Sequence, residues 1–210
     1  ESLDINYPTL EEQNPELYKQ YLKALRDYKA GEHKVVLVSM DNTTSAPAQR
    51  NEHLTTMPDS VDIICLMNPD NLHPTLAGEF AKVPTPEEEL ELRFLEFCRQ
   101  QTVSQLNLCA KYGYDGVQVN YTGRAPQAMQ EEEKAQYAAR QEAFFSNVKT
   151  WNEANSGKVL VFQGNPQNLI DKSVLGECDY IVIPALTATS ADKMSFAVLM
   201  AAVEDVPTDR

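Results

Sequence analysis

The stretch "YGYDGVQVNYTG", residues 112–123, governs the reading of the whole chain. Its centre alternates along an extended strand, with Val117, Val119 and Tyr121 on one face and Gln118, Asn120 and Thr122 on the other. Three polar side chains in a row on an otherwise apolar strand need hydrogen-bond partners or a wet cavity. In a parallel barrel such a cavity opens at the C-terminal ends of the strands, where functional groups collect.

Four other runs have the same strand character: "VVLVSM" (35–40), "DIICLM" (62–67), "VLVFQG" (159–164) and "YIVIPA" (180–185). Polar segments of helical periodicity lie between the runs, a pattern that predicts a parallel sheet covered on both faces. The opening helix is expected over 9–30, with Leu17, Tyr21, Leu25 and Tyr28 as its apolar stripe. A second is expected over 86–111, with Glu87, Glu88 and Glu89 in its first turn and Leu90, Phe94, Phe97, Cys98, Leu106 and Cys109 as a buried stripe. A third spans 127–155 and stops at "NSG", and a last runs from Ser190 towards Glu204. This order admits an open doubly wound sheet or a closed eight-fold barrel. A dinucleotide-binding sheet would carry a glycine-rich turn after its first strand, whereas "DNTTSAPAQR" follows "VVLVSM" here and contains no glycine.

The 210 residues, 42% hydrophobic and 23% charged, are those of an ordinary globular protein. A formal charge of −13 argues against nucleic acid as a partner, since nothing offsets repulsion from phosphates. No apolar run approaches the roughly 18 to 20 residues of a membrane span. The chain starts at Glu1 rather than Met, which fits a processed form with its targeting signal out of view. Cys65, Cys98, Cys109 and Cys178 lack metal-site or redox spacing and read as buried free thiols. His33, His53 and His73 are scattered, so neither a metal site nor a cofactor is expected. The cluster "QEEEK" (130–134) reads as a solvated helix start, and Trp151 as a core residue rather than a sugar platform.

"DGVQVNYT" (115–122) resembles the fourth-strand signature of glycoside hydrolase family 18, Asp-Gly-x-Asp-x-Asp-x-Glu, with Asp115 and Gly116 matching. Residues 25–40 and 54–83, "VFQGNPQNL" and "CDYIVIPAL" are similar, in order, to segments of the Bacteroidetes endo-β-N-acetylglucosaminidase-like branch. The resemblance implies one domain over 1–210, a (β/α)₈ TIM barrel, and an ancestry in substrate-assisted cleavage of N-acetylglucosamine linkages. It also implies a secreted, periplasmic or outer-membrane surface lipoprotein, with outer-membrane glycan-uptake proteins as partners.

The chemistry of that signature is replaced position by position. Thr122 stands where the resemblance puts the general acid, Asn120 where it puts the acetamide-orienting Asp, and Gln118 where it puts the first inward Asp. Leu186 occupies the place of a tyrosine that completes the family's site. General acid catalysis alone contributes roughly 10²- to 10⁴-fold, so a degenerate motif predicts little turnover. The candidate carbohydrate-binding residues are Gln118, Asn120, Tyr121, Thr122, Gln163 and Asn165, a set of uncharged donors and acceptors suited to an N-acetylglucosamine-containing glycan. Competing readings are a self-satisfied polar network, an active hydrolase with a displaced acid such as Asp41, and a structural or protein-interaction module. A barrel needs eight strands, and the third, seventh and eighth are not evident. The direct passage from Val83 to Pro84 reads as an omission, because a barrel lacking those strands would leave unpaired edges.

Overall fold

Asn14 and Pro15 divide the opening helical stretch in two. The Asn14 side chain accepts a hydrogen bond from Leu17 N at 3.1 Å, and Pro15, which has no N–H to offer, starts a new helix. The expected single helix over 9–30 is therefore α1 (Leu10–Gln13) followed by α2 (Pro15–Ala30). The computed structural model describes residues 10–40, 57–67 and 87–210, which fall in two units, 1–73 and 74–210.

In the first unit, β1 (Leu37–Met40) pairs in parallel with β2 (Ile63–Leu66), Leu37 opposite Ile63 and Met40 opposite Leu66. Both strands are shorter than the apolar runs that encode them. The inward stripe of α2 is offset from the expected one: Tyr18, Leu22 and Leu25 are half-buried, whereas Leu17 is 60% exposed and Tyr21 and Tyr28 also face solvent.

The second unit opens with α3 (Glu87–Tyr112) and continues through β3 (Gly116–Tyr121), α4 (Glu131–Ala154), β4 (Val159–Gly164), β5 (Tyr180–Val182) and α5 (Ala191–Val203). The three strands form one parallel sheet in the order β3-β4-β5, with Gln118 opposite Val161 and Asn120 opposite Gln163. β5 stops short of the expected 185 because Pro184 has no N–H for a ladder bond. α4 begins at Glu131 rather than 127 because Pro126–Ala128 forms its own 3₁₀ turn. Glu131, Glu132 and Glu133 then form the helix's acidic first turn.

Val119, Leu160 and Phe162 turn one sheet face towards Phe145 and Val148 of α4, and the core continues through Leu169, Val174, Leu175, Cys178, Ala201 and Val206. α3 lies against α4, where the Arg140 guanidinium sits 5.4 Å over the Phe94 ring. That cover is partial. Within the expected stripe Leu106 and Cys109 are buried, Phe97 and Cys98 half-buried and Phe94 37% exposed, while the side chain of Leu90 is outside the described residues. Cys65, Cys109 and Cys178 are buried free thiols as expected, and Cys98 is half-buried and outside any disulfide. Trp151 is half-buried in α4.

The architecture is mixed α/β with short parallel sheets. Among the described residues the sheets have two and three strands, so the (β/α)₈ barrel that the resemblance implies, already short of its third, seventh and eighth strands in the sequence, is not seen as a closed barrel. The Val83–Pro84 junction, where a third strand was expected, is outside the described residues. Among them, no helix is long and apolar enough to cross a membrane.

Candidate functional site

β3 and β4 run side by side because Gly116 permits it. A Cβ at that position would collide with the Val159 carbonyl, which fixes how closely the strands approach at the start of the motif. Asp115, the motif's other retained residue, is exposed, and its carbonyl accepts from Val159 N at 2.9 Å.

Pairing in register places Gln118, Asn120, Val161, Gln163, Tyr180 and Val182 on one sheet face. There the Gln118 amide donates from Nε2 to Gln163 Oε1 at 2.6 Å. Gln118 Oε1 is buried and receives no donor. Each amide has both donor and acceptor capacity, so a pair joined by one bond keeps functionality for a further partner. Asn120 lies opposite Gln163 and is exposed, as is Thr122 just beyond the strand.

Two of the six candidates stand apart from this face. Tyr121 turns into the core side, edge-on to Phe145 with ring centroids 5.7 Å apart, and its hydroxyl accepts from Gln141 Nε2 at 2.6 Å. Burial pushes the Tyr121 phenol above its usual range, against the Gln141 bond. Asn165 Nδ2 is committed to the Thr122 carbonyl at 2.9 Å. The structure thus brings Gln118, Asn120 and Gln163 together, leaves Thr122 at their rim, and gives Tyr121 and Asn165 supporting roles.

Two residues that periodicity did not single out shape the rim. Asn168 Nδ2 donates to the Gly123 carbonyl at 2.6 Å and to Thr122 O at 3.3 Å, pinning the exit of β3. Gln141, almost fully buried in α4, donates to Asn168 O at 3.1 Å and accepts from Ile170 N at 2.8 Å. Its signal was a polar residue in line with Phe145 and Val148, four and seven positions on, where an apolar side chain belongs. Gly164, at φ +126°, lets β4 end where any Cβ would strike the Tyr121 carbonyl. The face also carries Tyr180, an aromatic that the strand pattern alone did not assign to the site.

Chemically, this face offers amides, a phenol and apolar surface, and no carboxylate. Its described residues can hydrogen-bond a neutral polar ligand, and among them no carboxylic acid stands ready to protonate a leaving oxygen. Leu186, in the segment after β5, is 98% exposed. Asp41, the alternative acid, is outside the described residues.

The family model described as glycoside hydrolase family 18, BT1044-like, matches residues 1–85 and 87–209. A solved structure, BT1044SeMet, is similar in fold with a TM-score of 0.54 and 16% sequence identity. The alignment covers 91% of this chain and 69% of that one. No curated protein sequence matches significantly.

Proposed function

The chain belongs to the glycoside hydrolase family 18, BT1044-like, family, and from that premise we propose that it binds N-acetylglucosamine-containing glycans without hydrolysing them. The observation that carries this reading is the pair Gln118–Gln163, joined by one 2.6 Å bond with Gln118 Oε1 left buried and undonated. A self-satisfied network would close that acceptor, because leaving it open costs about 1–3 kcal/mol. Beside that pair Asn120, opposite Gln163, and Thr122 at the rim are exposed and open to a sugar hydroxyl or acetamide N–H.

The loss of hydrolysis follows from residue types. Substrate-assisted cleavage, which the family resemblance implies, draws on carboxylates to protonate the leaving oxygen and to orient the acetamide. Thr122, Asn120 and Gln118 hold those places, and none bears a charge. The same reading puts the protein at the cell surface or in the periplasm, working with outer-membrane glycan-uptake proteins.

The test is to incubate the full chain with a panel of N-glycans and chitooligosaccharides, following heat by calorimetry and products by mass spectrometry. Binding with the glycan intact is expected. Cleavage would overturn the degenerate-site reading, and the absence of any binding would overturn the glycan reading.

A further inference from the structure

His33, in the first unit, makes contacts that only one protonation state satisfies. Its Nδ1 lies 2.8 Å from the Gly31 carbonyl and its Nε2 lies 3.0 Å from Asp62 Oδ1. Both partners are acceptors: a carbonyl has no proton to give, and Asp62 accepts a second bond on Oδ2 from Val36 N at 2.8 Å. A neutral imidazole has one N–H and one lone pair, so it can meet only one of these oxygens. The imidazolium, with two N–H groups, meets both. The Tyr28 ring lies against His33 with centroids 4.4 Å apart, a placement that also suits the cation.

We propose that His33 and Asp62 form a pH-sensitive clamp that fastens the end of α2 and the entry to β1 onto the start of β2, closed while His33 is protonated and released as pH rises. The three points that it joins are Gly31 at the end of α2, Val36 before β1 and Asp62 before β2. The pair is sheltered, with side-chain exposures of 15% and 13%.

The charged and titratable groups around the ring are few. From α2 come the Tyr28 ring and Lys29, whose ammonium is tied to the Val61 carbonyl at 2.6 Å and opposes the cation. From the segment before β2 comes Asp62, while Asp59 is engaged by the Tyr21 hydroxyl. The Gly31 carbonyl and then the Asp62 carboxylate hold His33 above its usual 6.5, against desolvation and Lys29. The Val36 amide and then His33 hold the Asp62 carboxyl below its usual 3.8.

The signs fix the window. A raised His33 contributes stability that is fully present below 6.5 and disappears as pH climbs through its folded value. A lowered Asp62 contributes stability present above 3.8 that disappears as pH falls through its folded value. The clamp is therefore closed in mildly acidic solution and opens on the alkaline side.

The experiment follows the three histidine rings of the full chain by NMR from about pH 5 to about pH 9, assigned through His53→Gln and His73→Gln. Amide exchange over residues 31–40 and 61–66, corrected for intrinsic rate, is measured in wild type, His33→Gln and Asp62→Asn. We expect His33 to titrate above 6.5 and to drop in Asp62→Asn. Protection of both segments should fall severalfold between the acidic and alkaline ends in wild type and stay level in His33→Gln. His33 titrating at or below 6.5 would overturn the clamp, as would the same alkaline loss of protection in His33→Gln. The wild-type ring titration decides alone if the variants do not fold.

Discussion

Gln118 donates through Nε2 to Gln163 and keeps its Oε1 buried without a donor, so its substitution separates ligand binding from folding. In Gln118→Leu one protein hydrogen bond is lost together with one orphaned acceptor, and Gln163 Oε1, on a half-buried side chain, gives up its donor. Stability should fall by only about 1 kcal/mol. On the proposed glycan reading, affinity should fall about tenfold, or roughly 1.4 kcal/mol, as one hydrogen bond disappears. Thermal melts and calorimetry on the same protein check both, and a melt that drops while affinity holds would make Gln118 a structural residue. Cys178 offers a second residue-scale test. Burial pushes its thiol up to about 12, with the neighbouring Asp179 and Glu177 adding to the effect. The unfolded chain loses that proton near 9, so stability contributed by the thiol is complete below about 9 and declines from there towards 12. Native protein at about pH 9 should resist alkylation at Cys178 and unfolded protein should not. Mass spectrometry of the tryptic peptide reads the difference.

The elements were legible where one signal dominated. The runs 116–121 and 159–164 became β3 and β4 with the bounds that their apolar patterns set, because both are enclosed on the core side and flanked by polar loops. α2 was harder. Leu17-Tyr21-Leu25-Tyr28 and Tyr18-Leu22-Leu25 are overlapping stripes one residue, or about 100°, apart, and only packing distinguishes them. At the site, the sequence placed Gln118 and Asn120 on one strand face, but pairing across strands was needed to set Gln163 beside them. Gln141 and Asn168 escaped notice because a lone amide has no period. Gln141 nevertheless ties α4 to β3 and to the segment after β4, reaching Tyr121 Oη, Asn168 O and Ile170 N. Gln141→Leu would leave these groups unmet inside the protein. The expected cost is on the order of 3 kcal/mol, measured by denaturant titration. Because Asn168 in turn pins the Thr122–Gly123 backbone, exchange at residues 122–124 should quicken in this variant and not in Gln118→Leu.

At the scale of the whole molecule the charge is decisive. A net −13 makes the folded chain repel itself, and the ion pairs Lys19–Glu16 and Lys23–Asp27, largely solvent-exposed, compensate little. Screening should relieve that repulsion. Raising salt from about 0.01 M to about 0.15 M shortens the Debye length from roughly 30 Å to 8 Å. A gain of about 1 kcal/mol would raise Tm by about 2–4 °C in a chain of this size. The proposed glycan binding should behave differently, since the amide face formed by Gln118, Asn120 and Gln163 is uncharged and a neutral ligand brings no counterions to release. The expected outcome is a Tm that climbs with salt beside a Kd that does not move, both read from one salt series. A Kd that shifts in step with Tm would mean that the ligand engages ionised side chains outside this face.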